Sequence, residues 1–436
     1  MEAAWGVMLV LGVLMLTVRT LQVRGSVGAE LARKLVHMGM GAVCLTFPWI
    51  FDSPKPVWLL AGLAAAGLLA VRWVGPLRIR FGAVLGGVGR ASLGEIYFPI
   101  AVALVFTLAR GEPGAFCAPV AILAFADAAG ALVGQRWGKT RYRAVESMKS
   151  VEGSAAVFSV TWVTVVLVMA LWTEAAWREL VMTGLIVAAF AALVEAVSWR
   201  GLDNLLVPLV AFAQLRVYPE LAWPDLVGRG ITMFLLVIFM LNWRKRLLDS
   251  GARLGAALTL YLFWSLGDWR WLVAPALLLA SYTRLMPTVP GGPHRHYLAA
   301  VLCIGSAGIV WAGLNAWAVE PLWLWLFTLG FATQQAIIAV VRFSQGRPQW
   351  QPWQWWTVAV VQAVGVQGVG FVVVNGFQVV AVRDLVLGGV AVAGALAVFM
   401  GWDRDLALPD DLNARWWRQG TTAVLASAAG FALMQL

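Results

Sequence analysis

Apolar runs of roughly 14–20 residues, broken by short polar or basic segments, recur along almost the whole chain. Runs of that length predict membrane-crossing helices, because a backbone in hydrocarbon must satisfy its own N–H and C=O groups. A β-barrel would need short alternating segments, and they are absent. The pattern predicts an all-α, polytopic helical integral membrane protein with about 13–15 transmembrane segments. The first run, Trp5–Val18, has no basic residues before it and no small-residue cleavage site after it. It is therefore read as a retained helix rather than a signal peptide. In the second half, the expected helices run roughly 254–283 (with a tight hairpin at Gly267-Asp268), 297–315, 322–340, 354–375, 384–400 and 419–434.

The polar positions divide the chain near residue 250. Before it, His37, Glu95, Asp127, Glu152, Glu195, Asp203 and Asn204 lie within or at the edge of apolar spans. After it, the spans hold glutamines and a few asparagines but almost no acids. Two membrane domains are expected, 1–248 and 249–436, with the chemistry in the first.

Composition agrees with this reading. Of 436 residues, 61% are hydrophobic, and only 12% are charged, about half the share in a soluble domain. A net charge of +10 raises the question of nucleic acid. The basic residues instead sit in alternate short loops, as the positive-inside bias requires, and no nucleic-acid partner is expected. They follow the first span (Arg19, Arg24, Arg33, Lys34), the third (Arg72, Arg78, Arg80, Arg90) and the fifth (Arg136, Lys139, Arg141, Arg143, Lys149). Arg200 follows the seventh, and Arg244, Lys245 and Arg246 the ninth. This arrangement puts the N-terminus outside and these loops at the cytoplasmic face of a multi-pass protein of the cell's inner membrane. Cys44, Cys117 and Cys303 are isolated and form neither a metal pattern nor a disulfide framework.

Between residues 125 and 154 an acid, a run of small residues, a basic loop and a second acid separate two apolar spans. Ala128, Ala131 and Gly134, with Gly130, make a thin helix face that suits close packing. Packing does not account for Asp127, whose desolvation needs a cation, a donor or a water-filled cavity. Gly134 and Gly138-Lys139 do not form a P-loop, because three residues rather than four separate the glycines. Arg136, Lys139, Arg141 and Arg143 can hold polyphosphate oxygens, or can simply set topology. Ser150 can cap the next helix, whose start at Lys149-Ser150-Val151-Glu152-Gly153-Ser154 offers free N–H groups as a phosphate seat. Asp203-Asn204 can be a helix N-cap or, beside Asp127 or Glu152, hard oxygen ligands for Mg2+. Arg33 and His37 share one helix face next to Lys34. Glu95 follows the glycine-rich segment Phe81–Gly94. His294 and His296 lack further ligands and read as loop residues. Trp350–Trp356 and Trp416-Trp417 read as interfacial anchors.

Taken in order, these blocks resemble the polyprenol/phytol kinase family, with dolichol kinase and CTP-using diacylglycerol kinase as wider relatives. The resemblance covers about residues 28–215 and rests on Arg33-Lys34 with His37, Asp127 followed by Gly134 and Gly138-Lys139, and Lys149 to Ser154. It also takes in Glu195 and Arg200-Gly201-Leu202-Asp203-Asn204 to Val207-Pro208. The family commonly has Gly before the aspartate, where this chain has Ala126. The resemblance implies CTP-dependent phosphorylation of a membrane-dissolved isoprenoid alcohol such as phytol, geranylgeraniol or a polyprenol. The expected catalytic residues are His37, Glu95, Asp127 and Glu152. Mg2+ is expected on Asp127, Glu152, Asp203 and Asn204, and the nucleotide on Lys34, Arg136, Lys139, Lys149, Ser150, Gly153 and Ser154. Two rival readings are a CTP-dependent phospholipid cytidylyltransferase, which would release pyrophosphate, and a secondary transporter. The second half, from Arg246 through Ser281-Tyr282-Thr283-Arg284, more faintly resembles the membrane family that includes phytyl-phosphate kinase. With so few acids, it suits a non-catalytic relic or a lipid-handling domain.

Overall fold

The computed structural model describes residues 2–75, 93–143, 148–197, 200–242, 248–287, 296–377, 381–403, 406 and 412–435. Most of the glycine-rich segment before Glu95, Ser198-Trp199, Arg244 to Arg246, and His294 lie outside them. Among the described residues, the fold is all-α apart from one two-stranded hairpin. Among the described residues, nine helices are long and apolar enough to cross a membrane. Two compact units divide the chain, Met1–Met233 and Phe234–Leu436.

The first unit contains α1 (Glu2–Val23), α2 (Ala29–Cys44), α3 (Pro54–Trp73), α4 (Gly94–Ala109) and α5 (Pro113–Trp137). Strands β1 (Arg141–Arg143) and β2 (Met148–Ser150) follow, then α6 (Val151–Trp172), α7 (Trp177–Ala196) and α8 (Asp203–Val217). Helix α9 (Trp223–Asn242) carries the chain onward. Pro54 and Pro113 open α3 and α5 at positions where the missing N–H costs nothing.

Helix α5 is central to this unit: 61% of its apolar window is buried, against 17% for α1 and α3. It packs on α2, α6 and α8. Its middle, Ile122–Ala126, is wound as a π-helical turn, three residues beyond Pro119. The contact between α5 and α6 is the thin seam expected from Gly130 and Gly134. A Cβ added to Gly153 would stand 2.8 Å from Gly130 O and 3.3 Å from Gly134 Cα.

The second unit comprises α10 (Ser250–Leu266), α11 (Val273–Arg284), α12 (Leu298–Trp317), α13 (Pro321–Gly346), α14 (Pro352–Asn375), α15 (Val382–Trp402) and α16 (Leu412–Gln435). The expected segment 254–283 breaks at Gly267–Asp268, where Asp268 caps a 3-10 turn by accepting from Arg270 N. Helix α13 carries the core, with 89% of its apolar window buried. Its Gln334 donates to Cys303 O (2.8 Å) and accepts from Gln419 Nε2 (2.6 Å), while Gln335 accepts from Gln367 Nε2 (2.9 Å). Neutral amides thus join the helices of this unit, a common form of polar bonding between helices in hydrocarbon. His296 lies 3.4 Å from Tyr282 Oη. Cys44, Cys117 and Cys303 are free thiols.

Candidate active site

Four segments of the first unit supply the polar groups: α2, the middle of α5, the β1–β2 hairpin with the start of α6, and the α7–α8 junction. On α2, Lys34 is only 2% exposed and donates to Asp127 Oδ2 at 2.5 Å. A buried lysine of this kind requires an anionic partner, and Asp127 on α5 supplies it. His37, one turn further along, places Nε2 at 2.9 Å from Leu123 O and 3.8 Å from Asp127 Oδ2. Its ring meets Phe98 edge-on, with centroids 4.8 Å apart.

The stretch after α5 reads in sequence as a basic loop but is an antiparallel hairpin. Arg141 pairs with Ser150, Tyr142 with Lys149 and Arg143 with Met148. Ser150 caps α6 by accepting from Gly153 N at 3.1 Å, and Tyr142 Oη lies 2.7 Å from Ser154 Oγ. The Glu152 carboxylate accepts from Thr140 N at 3.1 and 3.3 Å. It closes the base of the hairpin and does not line the pocket described below. Gly138 has no room for a side chain, because a Cβ there would stand 2.7 Å from Ser150 Oγ. Lys139 is exposed, and the Arg136 guanidinium lies 5.5 Å from the Trp137 ring centroid.

Lys149 reaches from the hairpin to the end of α7. It donates to Glu195 Oε1 at 2.5 Å and also to the Glu195 carbonyl. Glu195 matters more here than its sequence context indicated: an acid at the last turn of an apolar span reads as a helix end, and its partner lies 46 residues away. Arg200 and Gly201 turn the chain with φ of 51° and 79°, into α8. Leu202 occupies the N-cap, so Asp203 and Asn204 are the first residues of α8 and neither caps it.

Helices α5, α6, α7 and α8 line a small pocket, about 290 Å³ of empty space with its open mouth included. Asp127, Glu195, Asp203 and Asn204 line it beside Ile122, Leu123, Ala126, Val157, Ala191 and Val207. The charges of Asp127 and Asp203 both act on Glu195. Lys34 and Lys149 each hold one of these carboxylates. Glu95, in the first turn of α4, lies outside the lining and feels the charges of Arg33 and Arg72.

Asn204 Oδ1 is buried without a hydrogen-bond partner among the described residues. A buried acceptor left in this way calls for a donor or a cation. Among the described residues, no three His, Cys, Asp or Glu side chains group closely enough to hold a metal ion by themselves. That is compatible with Mg2+, which commonly takes one or two carboxylates and completes its shell with substrate phosphates and water. The donor set of Asp127, Asp203 and Asn204 consists of hard oxygens and fits such an ion.

Comparison with known proteins gives one informative result. The chain is 33% identical over 203 residues to a phytol kinase of Synechocystis sp.. The match covers 46% of this chain and 84% of that protein. No protein-family model matches the chain, and no solved structure matches it significantly.

Proposed function

Because the chain belongs to the phytol kinase family, we propose that it transfers the terminal phosphoryl group of a nucleoside triphosphate, with CTP as donor, to an isoprenoid alcohol. Phytol, geranylgeraniol and polyprenols are the acceptor class, and the cytoplasmic membrane face is the site of reaction. The protein is a multi-pass membrane protein, so its acceptor can dissolve in the same bilayer. One observation carries the reading: Asp127, Glu195, Asp203 and Asn204 meet in one pocket between apolar helices, with Lys34 and Lys149 on two of the acids.

The acceptor hydroxyl oxygen attacks the terminal phosphorus, the bond to the bridging oxygen breaks, and nucleoside diphosphate and a prenyl monophosphate leave. Such transfer proceeds through a loose transition state, so positioning and charge stabilisation count for more than a strong base. The apolar lining from Ile122, Val157, Ala191 and Val207 suits the hydrocarbon next to the hydroxyl. Lys149, with the exposed Lys139 just before the hairpin, would contact the triphosphate. Asp127 and Asp203 with Asn204 would hold Mg2+, which when bound screens the phosphate charge. Glu152 acts here through the hairpin it closes.

The test is incubation of the purified protein with a panel of prenyl alcohols, Mg2+ and labelled CTP or ATP. Labelled prenyl monophosphate with nucleoside diphosphate is expected. Release of pyrophosphate would favour a cytidylyltransferase. Substrate flux without nucleotide turnover would favour a transporter.

A further inference from the structure

Helix α2 meets α5 through Lys34, His37 and Gly41, spaced three and four apart and therefore on one face. Lys34 holds Asp127, and His37 reaches Leu123 O. Gly41 lets the two backbones close, since a Cβ there would run into Ala124 Cβ and stand 3.3 Å from Ala124 Cα. Every one of these contacts falls on Ile122–Ala126, the π-helical turn, or on the residue directly after it.

A π turn is rare and widens the hydrogen-bonded ring by one residue relative to an α turn. One residue is about 100° of helical phase. Rewinding Ile122–Ala126 as α-helix would therefore swing the following residues by roughly that angle. Asp127 would then lose the bearing it shares with Glu195 and Asp203. Helices α2, α6 and α8 all pack on this turn, and among the described residues α2 is the one whose side chain reaches a carbonyl within it.

The Leu123 carbonyl can only accept, so the close His37 nitrogen, Nε2, carries a hydrogen and donates it. A nitrogen engaged in that way has no lone pair with which to take a proton from the substrate. The ring is also fixed: His37 is 12% exposed and rests edge-on against Phe98.

We propose that His37 is a positioning residue whose Nε2–H to the Leu123 carbonyl holds the π-helical turn that aims Asp127 into the pocket. This rests on the kinase reading above. It takes Nε2 of His37 out of the role of base, a role for this residue that the sequence alone left open.

Two amide variants test it in the full-length purified protein. In His37→Gln the side-chain amide can still reach Leu123 O, whereas in His37→Asn the same amide is one methylene too short. His37→Gln should keep near-wild-type kcat. His37→Asn and His37→Ala should lose kcat on the order of 100-fold with little change in nucleotide KM, as expected for a misaimed group. His37→Gln as slow as His37→Ala, or His37→Ala as fast as wild type, would overturn the proposal. Should the two shortened variants fail to fold, wild type against His37→Gln decides alone, and a folded but slow His37→Gln overturns it. Nitrogen-15 NMR of labelled histidine in the wild-type protein, which has three histidines, gives a readout independent of turnover. An Nε2–H tautomer at His37 is expected, and a bare Nε2 overturns the proposal. A wild-type protein that phosphorylates no prenyl alcohol would sink the functional reading, while the tautomer would still report on the hydrogen bond.

Discussion

Lys34→Met isolates the ion pair between α2 and α5. Methionine keeps the long apolar stem and removes the ammonium that sits 2.5 Å from Asp127 Oδ2. Breaking a buried pair by deleting one partner costs about 3–5 kcal/mol, most of it from the charge left behind. The Asp127 side chain is 23% exposed, so some of that charge remains solvated. The cost should therefore fall near the lower end, about 3 kcal/mol, or roughly a hundredfold in the folding equilibrium. Deleting both charges with Lys34→Met/Asp127→Asn should recover most of the stability, because a neutral pair leaves no stranded ion. Thermal unfolding in detergent, followed by tryptophan fluorescence, reads stability, and labelled nucleotide transfer reads activity. The expected order of stability is wild type, then the double variant, then Lys34→Met, with both variants inactive. A Lys34→Met protein as stable as wild type, or a double variant no more stable than the single, would refute the reasoning.

Asp127→Asn alone should abolish transfer while leaving the protein inserted in the membrane; near-normal turnover would remove Asp127 from the site. Lys149→Ala should raise the nucleotide KM and expose the β1–β2 hairpin to proteolysis, because Lys149 ties that hairpin to Glu195; an unchanged nucleotide response would count against a phosphate contact. Gly153→Ala should destabilise by about 1–3 kcal/mol, since the new methyl meets backbone rather than a movable side chain; a melting temperature equal to wild type would show that the α5–α6 seam can open. A chain truncated after Asp249 keeps α9 whole and should retain alcohol phosphorylation, as measured with the same label; a folded, inactive truncation would show that the second unit contributes.

Much of the architecture could be read from the spacing of apolar runs, because hydrocarbon leaves the backbone little choice but helix. The local chemistry was legible where it acts over a few residues: the Ser150 cap needs only Gly153 N three positions on. What the sequence hid is pairing at long range. Lys34 and Asp127 are 93 residues apart, and no local pattern identifies them as partners. The hairpin escaped notice because its strands are three residues long, too short for a period-two signal, and carry charges that suit a solvated loop. Glu152 looked like a ligand because it stands among Lys149, Ser150 and Gly153, yet its carboxylate turns back to Thr140 N. The π turn leaves no compositional mark beyond Pro119 upstream, and it sets which way Asp127 faces.

The arrangement of charge explains how such a site can wait inside a bilayer for a polar substrate. Three carboxylates in one small pocket would repel one another strongly at low dielectric. Here Lys34 and Lys149 each offset one of them. Pairing with the two lysines keeps the burial of those two acids tolerable. On the kinase reading, a divalent ion at Asp127, Asp203 and Asn204 would add two positive charges to the pocket, complementary to a polyphosphate and far less so to the neutral alcohol beside it. On that reading ion and nucleotide would bind together, while the alcohol would enter from the lipid without a charge to neutralise. Removing Lys149 should therefore weaken the nucleotide more than the alcohol. Neutralising Asp203 with Asn should weaken the dependence on magnesium concentration before it affects the alcohol KM.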